Sequence, residues 1–139
     1  MNKFLFRLGL WLPPIAWAAL IFRFSSGSVF VASKVYWQDF IVKKIGHVLL
    51  FGALATLTFR ALVGEGVPKK KAAIWAVVFA TFYGTTDEFH QSFTQGRDAS
   101  PRDVLIDAGG SALVIYIVYK FLPILPKKIR VYFEELNLI

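Results

Sequence analysis

Four long apolar stretches constrain this chain of 139 residues more than any other feature of its sequence. They cover residues 4–22, 45–63, 72–93 and 104–122. A helix needs about 20 mostly apolar residues to cross a hydrocarbon core of about 30 Å. Hydrophobic residues make up 56% of the chain and charged residues 18%, whereas an average soluble domain is about 45–50% apolar and about 25% charged. We therefore predict an all-α fold: an integral membrane four-helix bundle, formed by a single domain over residues 1–139.

The first apolar stretch has the features of a retained membrane span. It carries one charged residue, Arg7, and the pair Pro13-Pro14. The prolines predict a kink, which neighbouring helices can accommodate in a membrane. Bulky residues follow the stretch at positions 22–24, in place of a small-residue cleavage site. We therefore expect this span to be kept and not removed as a signal peptide.

Two other segments have an amphipathic character. Residues 25–44 mix aromatic side chains with Lys34, Gln38 and Asp39. This mixture predicts an interfacial segment that lies on the bilayer after the first span. The tail after Pro123 interleaves charged and apolar residues, which predicts a short amphipathic C-terminal helix against the membrane surface.

The distribution of charge predicts the topology. The chain has 16 Lys and Arg, nine Asp and Glu, and no cysteine. Without cysteine it has no disulfide framework, no cysteine-bound zinc and no thiol nucleophile. A cytoplasmic N-terminus would put ten of the basic residues inside and six outside, and the side with more Lys and Arg is usually the cytoplasmic one. We therefore predict that both termini are cytoplasmic. Because the basic residues are split between the two sides, we do not expect nucleic-acid binding.

In this topology, unusual polar residues from several spans collect at the outer end of the bundle. Helical spacing puts Asp87 and Gln91 on one face, and it does the same for Asp103 and Asp107. The candidate catalytic or ligand-binding residues are His47, Asp87, Glu88, His90, Gln91, Arg97, Asp103 and Asp107.

Asp107 is the most costly of these residues, because it lies one turn inside an apolar span. A carboxylate there needs a partner or a wet cavity. Arg97 and Arg102 are its nearest cationic neighbours in sequence.

The residue types suggest several roles that the sequence does not separate. Arg97 suits bidentate binding of a phosphate, and His47 or His90 suits a general base. Carboxylates are the ligands that a divalent cation such as Mg²⁺ prefers. The candidate metal ligands are Asp87, Glu88, Asp103 and Asp107.

At these residues the chain resembles the VanZ-like family of small bacterial membrane proteins, which is named for a protein of teicoplanin resistance. The family pattern is an Asp-Glu pair, a Gln three residues after the Glu, a Gly-Arg pair, then an Asp, an Asp or Asn four residues later, and a Gly. In this chain these positions are Asp87, Glu88, Gln91, Gly96, Arg97, Asp103, Asp107 and Gly110.

A second segment, from Lys44 to His47, resembles the start of the family's second span. Leu50 stands where family members often have Glu, so one carboxylate of the family pattern is missing. The resemblance implies a role in the bacterial cell envelope, with glycopeptide resistance in at least one family member. It does not identify a substrate.

Three functions remain open at this stage. The first is a membrane enzyme that acts on a lipid-linked or cell-wall substrate. The second is a non-catalytic module that binds an envelope lipid, a cell-wall precursor or a lipoglycopeptide. This module is compatible with a homo-oligomer, for which the surface at Gly109-Gly110 is a candidate contact. The third is a small proton-coupled transporter, which ranks last because carrier sites usually lie near the bilayer midplane.

Overall fold

The computed structural model describes residues 2–27, 33–94, 100–136 and 138. Within these ranges the chain is all-helical and has no strand, which confirms the all-α part of the predicted fold. Its α-helices are α1 (Lys3–Ser25), α2 (Tyr36–Gly64), α3 (Lys69–Gln91), α4 (Pro101–Phe121) and α5 (Lys127–Glu135), with a short 3₁₀ helix (Leu122–Ile124) before α5.

The first four helices run alternately up and down, and contacts between them fix their register. Trp17 of α1 donates its indole N–H to the Leu50 carbonyl of α2 at 2.9 Å. Tyr83 of α3 donates its hydroxyl to the Ala18 carbonyl of α1 at 2.7 Å. Because each helix reverses the direction of the one before it, α2 and α4 run parallel. The two helices that carry His47 and Asp107 therefore start at the same end of the bundle.

Small residues on α3 allow the helices to approach closely. Ala72, Ala76, Ala80 and Gly84 follow one another at a spacing of four and are all buried. Residues four apart lie on one face of a helix, and rows of small residues are typical of helix contacts in membranes. The core that packs on this row includes Phe59 of α2 and Ile115 of α4.

Three of the described helices are long and apolar enough to cross a membrane, which is consistent with a membrane protein: Lys3–Ser25, Tyr36–Gly64 and Pro101–Ile124. They match the first, second and fourth predicted spans. The predicted third span is also a helix, α3, but it does not reach the same hydropathy. It begins with three lysines and carries Asp87 and Glu88 in its last turn, so its apolar part is shorter. The structure therefore supports three of the four predicted spans on length and composition.

The predicted interfacial segment differs from the structure. Residues 36–44 are the first turns of α2, which continues through Gly46 to Gly64 without a break. The sequence from Tyr36 to Ile45 contains no Gly or Pro, and Lys43 pairs with Asp39 one turn earlier at 2.7 Å. Such pairs stabilise a helix, so the segment continues into α2 and is not a separate helix. Residues 28–32, which belong to the same prediction, lie outside the described residues.

The opposite end of the bundle is held by polar contacts between helices. Arg7 of α1 pairs with Glu65, just after α2, at 3.0 Å. Arg60 of α2 donates to the Leu136 carbonyl at 2.9 Å, so the end of α5 is attached to the bundle. Helix α1 is continuous through Pro13 and Pro14, and α5 forms where the sequence predicts a short C-terminal helix.

Candidate functional site

The candidate site lies where the buried face of α3 changes from small to polar residues. After Gly84, the next buried residues on α3 are Asp87, Glu88 and Gln91. They occupy the last two turns of α3, at the end of the bundle where α2 and α4 begin. The helix face that packs against α2 and α4 thus carries carboxylates at this end.

His47 of α2 and Asp107 of α4 form the central pair of the site. The imidazole Nδ1 lies 3.0 Å from Asp107 Oδ1. Only 1% of the Asp107 side chain is exposed, whereas 20% of the His47 side chain is. With a proton on Nδ1, this nitrogen donates to the carboxylate and Nε2 keeps a free lone pair. Asp107 therefore has His47 as its partner. Arg102, which the sequence suggests as a partner of Asp107, lies near Asp103 instead, with 4.0 Å between Arg102 Nε and Asp103 Oδ1.

Glu88 of α3 completes a group of three possible metal ligands with this pair. One ligand atom from each of His47, Glu88 and Asp107 lies within 4.8 Å of the other two. Each residue comes from a different helix, so the group exists only in the packed bundle. Two of the four predicted metal ligands, Glu88 and Asp107, belong to this group.

The other two predicted ligands have different partners. Asp87 accepts a hydrogen bond from Gln91 Nε2 at 2.7 Å, which agrees with the prediction that these residues share a face. Asp103 lies 2.5 Å from Lys44 Nζ. Lys44 is a part of the site that was not among the candidate residues, although it precedes His47 by three residues and so lies on the same face of α2.

The start of α4 is fixed by contacts to α3 and to its own cap. The backbone N–H of Ser100 donates to Glu88 Oε2 at 2.9 Å. The Ser100 hydroxyl caps α4 by accepting from the Arg102 N–H, as a serine at this position typically does. Glu88 therefore uses one carboxylate oxygen to hold the beginning of α4.

His90 lies next to α1 and is not a member of the three-residue group. Its Nε2 is 3.1 Å from the Ser26 hydroxyl, and its ring lies against Phe22 with 4.6 Å between the ring centroids. These contacts explain His90 as a link between the ends of α1 and α3. Arg97, a candidate site residue, and Gly96, a position of the family pattern, lie outside the described residues.

Three carboxylate oxygens in the site are buried and have neither a hydrogen-bond nor an ion-pair partner within the described part of the chain, whereas a fourth, Asp103 Oδ1, has Lys44 as its ion-pair partner. The three are Asp87 Oδ1, Glu88 Oε1 and Asp107 Oδ2. A buried carboxylate oxygen without a partner is costly. The arrangement is therefore suited to a cationic or hydrogen-bond-donating group in addition to the contacts described above.

Comparison with known proteins identifies the family. The sequence model described as VanZ/LLP1 matches residues 10–123, a range that includes every residue of the site. No curated protein and no solved structure matches the chain. Since the match covers well over half of its length, the chain belongs to the VanZ-like (VanZ/LLP1) family.

Proposed function

We propose that this chain is a four-span protein of the bacterial cytoplasmic membrane that binds an envelope lipid or a lipid-linked cell-wall precursor and modifies it, with His47 as general base. The site faces outward and both termini lie in the cytoplasm. By analogy with the resistance protein that gives the family its name, we propose that this activity lowers susceptibility to teicoplanin.

The buried pair of His47 and Asp107 is the observation that carries this proposal. The carboxylate orients the imidazole through Nδ1 at 3.0 Å, so that Nε2 can accept a proton from a reacting hydroxyl or water. The same division of roles operates in catalytic triads, where a buried carboxylate holds the histidine. The partial exposure of His47 gives a substrate access to this nitrogen.

The exposed face of α3 supports its assignment as a membrane span, the third in chain order. Trp75 and Phe82 on this helix are 60% and 67% exposed. Large apolar side chains on the outside and small residues on the packed face are what a helix between lipid and protein needs. The lysines at its beginning suit the cytoplasmic side of a membrane.

A lipid head group suits a site at one end of a membrane bundle, because its acyl chains stay in the bilayer while the polar part enters the site. Arg102, at the start of α4, has a side chain that is 63% exposed. A guanidinium in this position is available to a phosphate of the head group. We therefore assign Arg102 to binding and His47 to chemistry.

Teicoplanin susceptibility tests the proposal. The chain is expressed in a susceptible Gram-positive host, and the minimal inhibitory concentration is compared with that of the empty vector. We expect a severalfold increase with the natural chain, no increase with His47→Ala or Asp107→Asn, and the full increase with Glu135→Gln, a change in the exposed end of α5. Immunoblots of the membrane fraction control for expression.

Native mass spectrometry of the purified protein identifies what it binds. We expect a co-purified lipid that His47→Ala retains and Arg102→Ala loses. If His47→Ala keeps both the lipid and the resistance while Arg102→Ala loses both, the protein is a binding module and not an enzyme. If the natural chain gives no resistance and carries no lipid, the proposed function is wrong.

A further inference from the structure

We propose that His47, Glu88 and Asp107 bind one divalent transition-metal ion, with Zn²⁺ as the best match to the ligands. This inference rests on the proposed function, because it names an occupant for the same site. It changes the role of one residue: with the ion bound, His47 would be a ligand, and a water activated by the ion would take the role of the general base. It also changes the predicted ligand set: His47 joins Glu88 and Asp107, while Asp87 and Asp103 do not take part.

The first argument for a metal ion comes from the distances between the three residues. One ligand atom from each lies within 4.8 Å of the other two, and zinc bonds to nitrogen and oxygen at about 2.0–2.2 Å. Tetrahedral geometry with such bonds puts ligand atoms about 3.4 Å apart, so the three side chains need to close by up to about 1.4 Å on a single ion. Because they come from α2, α3 and α4, an ion at this place would join all three helices.

The second argument comes from carboxylate oxygens that have no partner. It does not depend on the distances between the three residues. Asp107 Oδ2 and Glu88 Oε1 have no hydrogen-bond partner among the described residues. The two residues are only 1% and 5% exposed, so solvent does not replace the missing partner. A metal ion would supply a partner to both oxygens at once.

The third argument for a metal ion comes from the balance of charge around the site. Asp87, Glu88 and Asp107 are all buried at this end of the bundle. Asp103 and Lys44 compensate each other at 2.5 Å, and Gln91, the partner of Asp87, is neutral. Within the described residues, no Lys or Arg side chain forms an ion pair with these three carboxylates, and the hydrogen bond from His47 reaches Asp107 alone. Buried charges are retained when they are paired or bind metals, and a divalent cation would offset this excess.

The chemistry of the ligands selects the ion. Mg²⁺ prefers oxygen ligands and keeps several waters, whereas an imidazole suits Zn²⁺ and related ions. Three protein ligands of the His, Asp and Glu types, with a further position left open, are typical of catalytic zinc. An ion of this kind supplies an activated water or polarises a bound phosphate or carbonyl oxygen.

The test measures metal binding to the whole purified chain in detergent. The protein is treated with a chelator, equilibrated with Zn²⁺, Mn²⁺ or Mg²⁺, freed of unbound ion, and analysed for bound metal and for thermal unfolding. We expect about one Zn²⁺ per chain, a higher melting temperature with Zn²⁺, and little binding of Mg²⁺. Glu88→Gln and Asp107→Asn should weaken Zn²⁺ binding at least about tenfold, while Glu135→Gln should bind as the natural chain does.

Circular dichroism and size-exclusion chromatography show which variants are folded, and Glu88→Gln is the variant that decides if Asp107→Asn does not fold. The inference is wrong if the folded natural chain binds no stoichiometric Zn²⁺ or if Glu88→Gln binds it unchanged. It is also wrong if Arg97→Ala, but not the natural chain, binds Zn²⁺, because the guanidinium would then occupy the position assigned to the ion. Loss of resistance in His47→Ala without any metal binding would overturn the metal site and leave the proposed function intact.

Discussion

Gly84 lies where α3 packs against the buried carboxylate of Asp107 on α4. A Cβ atom at this position would lie 3.2 Å from Asp107 Oδ2 and 3.4 Å from Phe51 Cε1. Few real Cβ contacts are as short as the first of these, so the side chain of Asp107 would have to move. The row of small residues on α3 thus ends with the smallest one, where the acidic site begins.

We predict that Gly84→Ala is less stable than Gly109→Ala by about 1–3 kcal/mol, the usual cost of adding a methyl group to a packed core. The two changes gain the same helix propensity, but a Cβ at Gly109 meets nothing within 4 Å. Thermal or denaturant unfolding in detergent measures the difference. Equal stability of the two variants would show that α3 and α4 are not in close contact at Gly84.

Local spacing predicts some of these contacts and not others. The pair of Asp87 and Gln91 follows from the helical repeat, because the residues are four apart. The pair of His47 and Asp107 is separated by 60 residues and depends on how α2 and α4 are aligned, which the repeat within one helix does not contain. For this reason the sequence suggests Arg97 and Arg102 as partners of Asp107, while the structure gives it His47.

At the scale of elements, the length of α2 decides how the site is held. Its first turns, from Tyr36, lead directly into the turn that carries Lys44 and His47. Aromatic residues and charges in this segment predict a surface helix, but the same residues are compatible with the end of a longer membrane helix. What favours one long helix over a separate surface helix is that no helix breaker lies between residues 36–44 and the span that follows. The amino-acid composition of the segment does not show this.

We predict that Ile41→Pro destabilises the protein by about 3 kcal/mol and Ile41→Ala by much less. A proline inside a helix removes a backbone hydrogen bond and clashes with the preceding turn, and Ile41 itself is largely exposed. The change should also loosen the pair of Lys44 and Asp103, which amide hydrogen exchange over α2 would report. If Ile41→Pro is as stable as Ile41→Ala, residues 36–44 are a separate segment and not part of α2.

For the whole molecule, the main question is whether α3 crosses the membrane together with the three helices of sufficient hydropathy. The apolar part of α3 is shortened by lysines at one end and by the buried acids at the other. These acids lower the mean hydropathy although they face the other helices and not the lipid. A prediction from composition cannot distinguish acids that face other helices from acids that face lipid, whereas the packing of α3 distinguishes them.

We predict that Ser92→Cys is labelled by a membrane-impermeant maleimide added to intact cells, and that Lys70→Cys is labelled only after the cells are permeabilised. The two positions lie at opposite ends of α3, and the natural chain has no cysteine that would interfere. Teicoplanin resistance of each variant would show that its topology is the functional one. Labelling of both positions from the same side would mean that α3 does not cross the membrane.

The origin of the site in three successive helices has a consequence for the biogenesis of the protein. Of these three helices, the ribosome makes α2 first and then α3, which carries Glu88. It makes Ser100 and α4, which carries Asp107, last. While α4 is still being synthesised, Glu88 lacks the backbone donor that it has in the complete bundle, and His47 lacks its carboxylate. We therefore expect the insertion machinery to retain α3 beside α2 until α4 arrives, and nascent chains that stop before α4 to be substrates for membrane quality control.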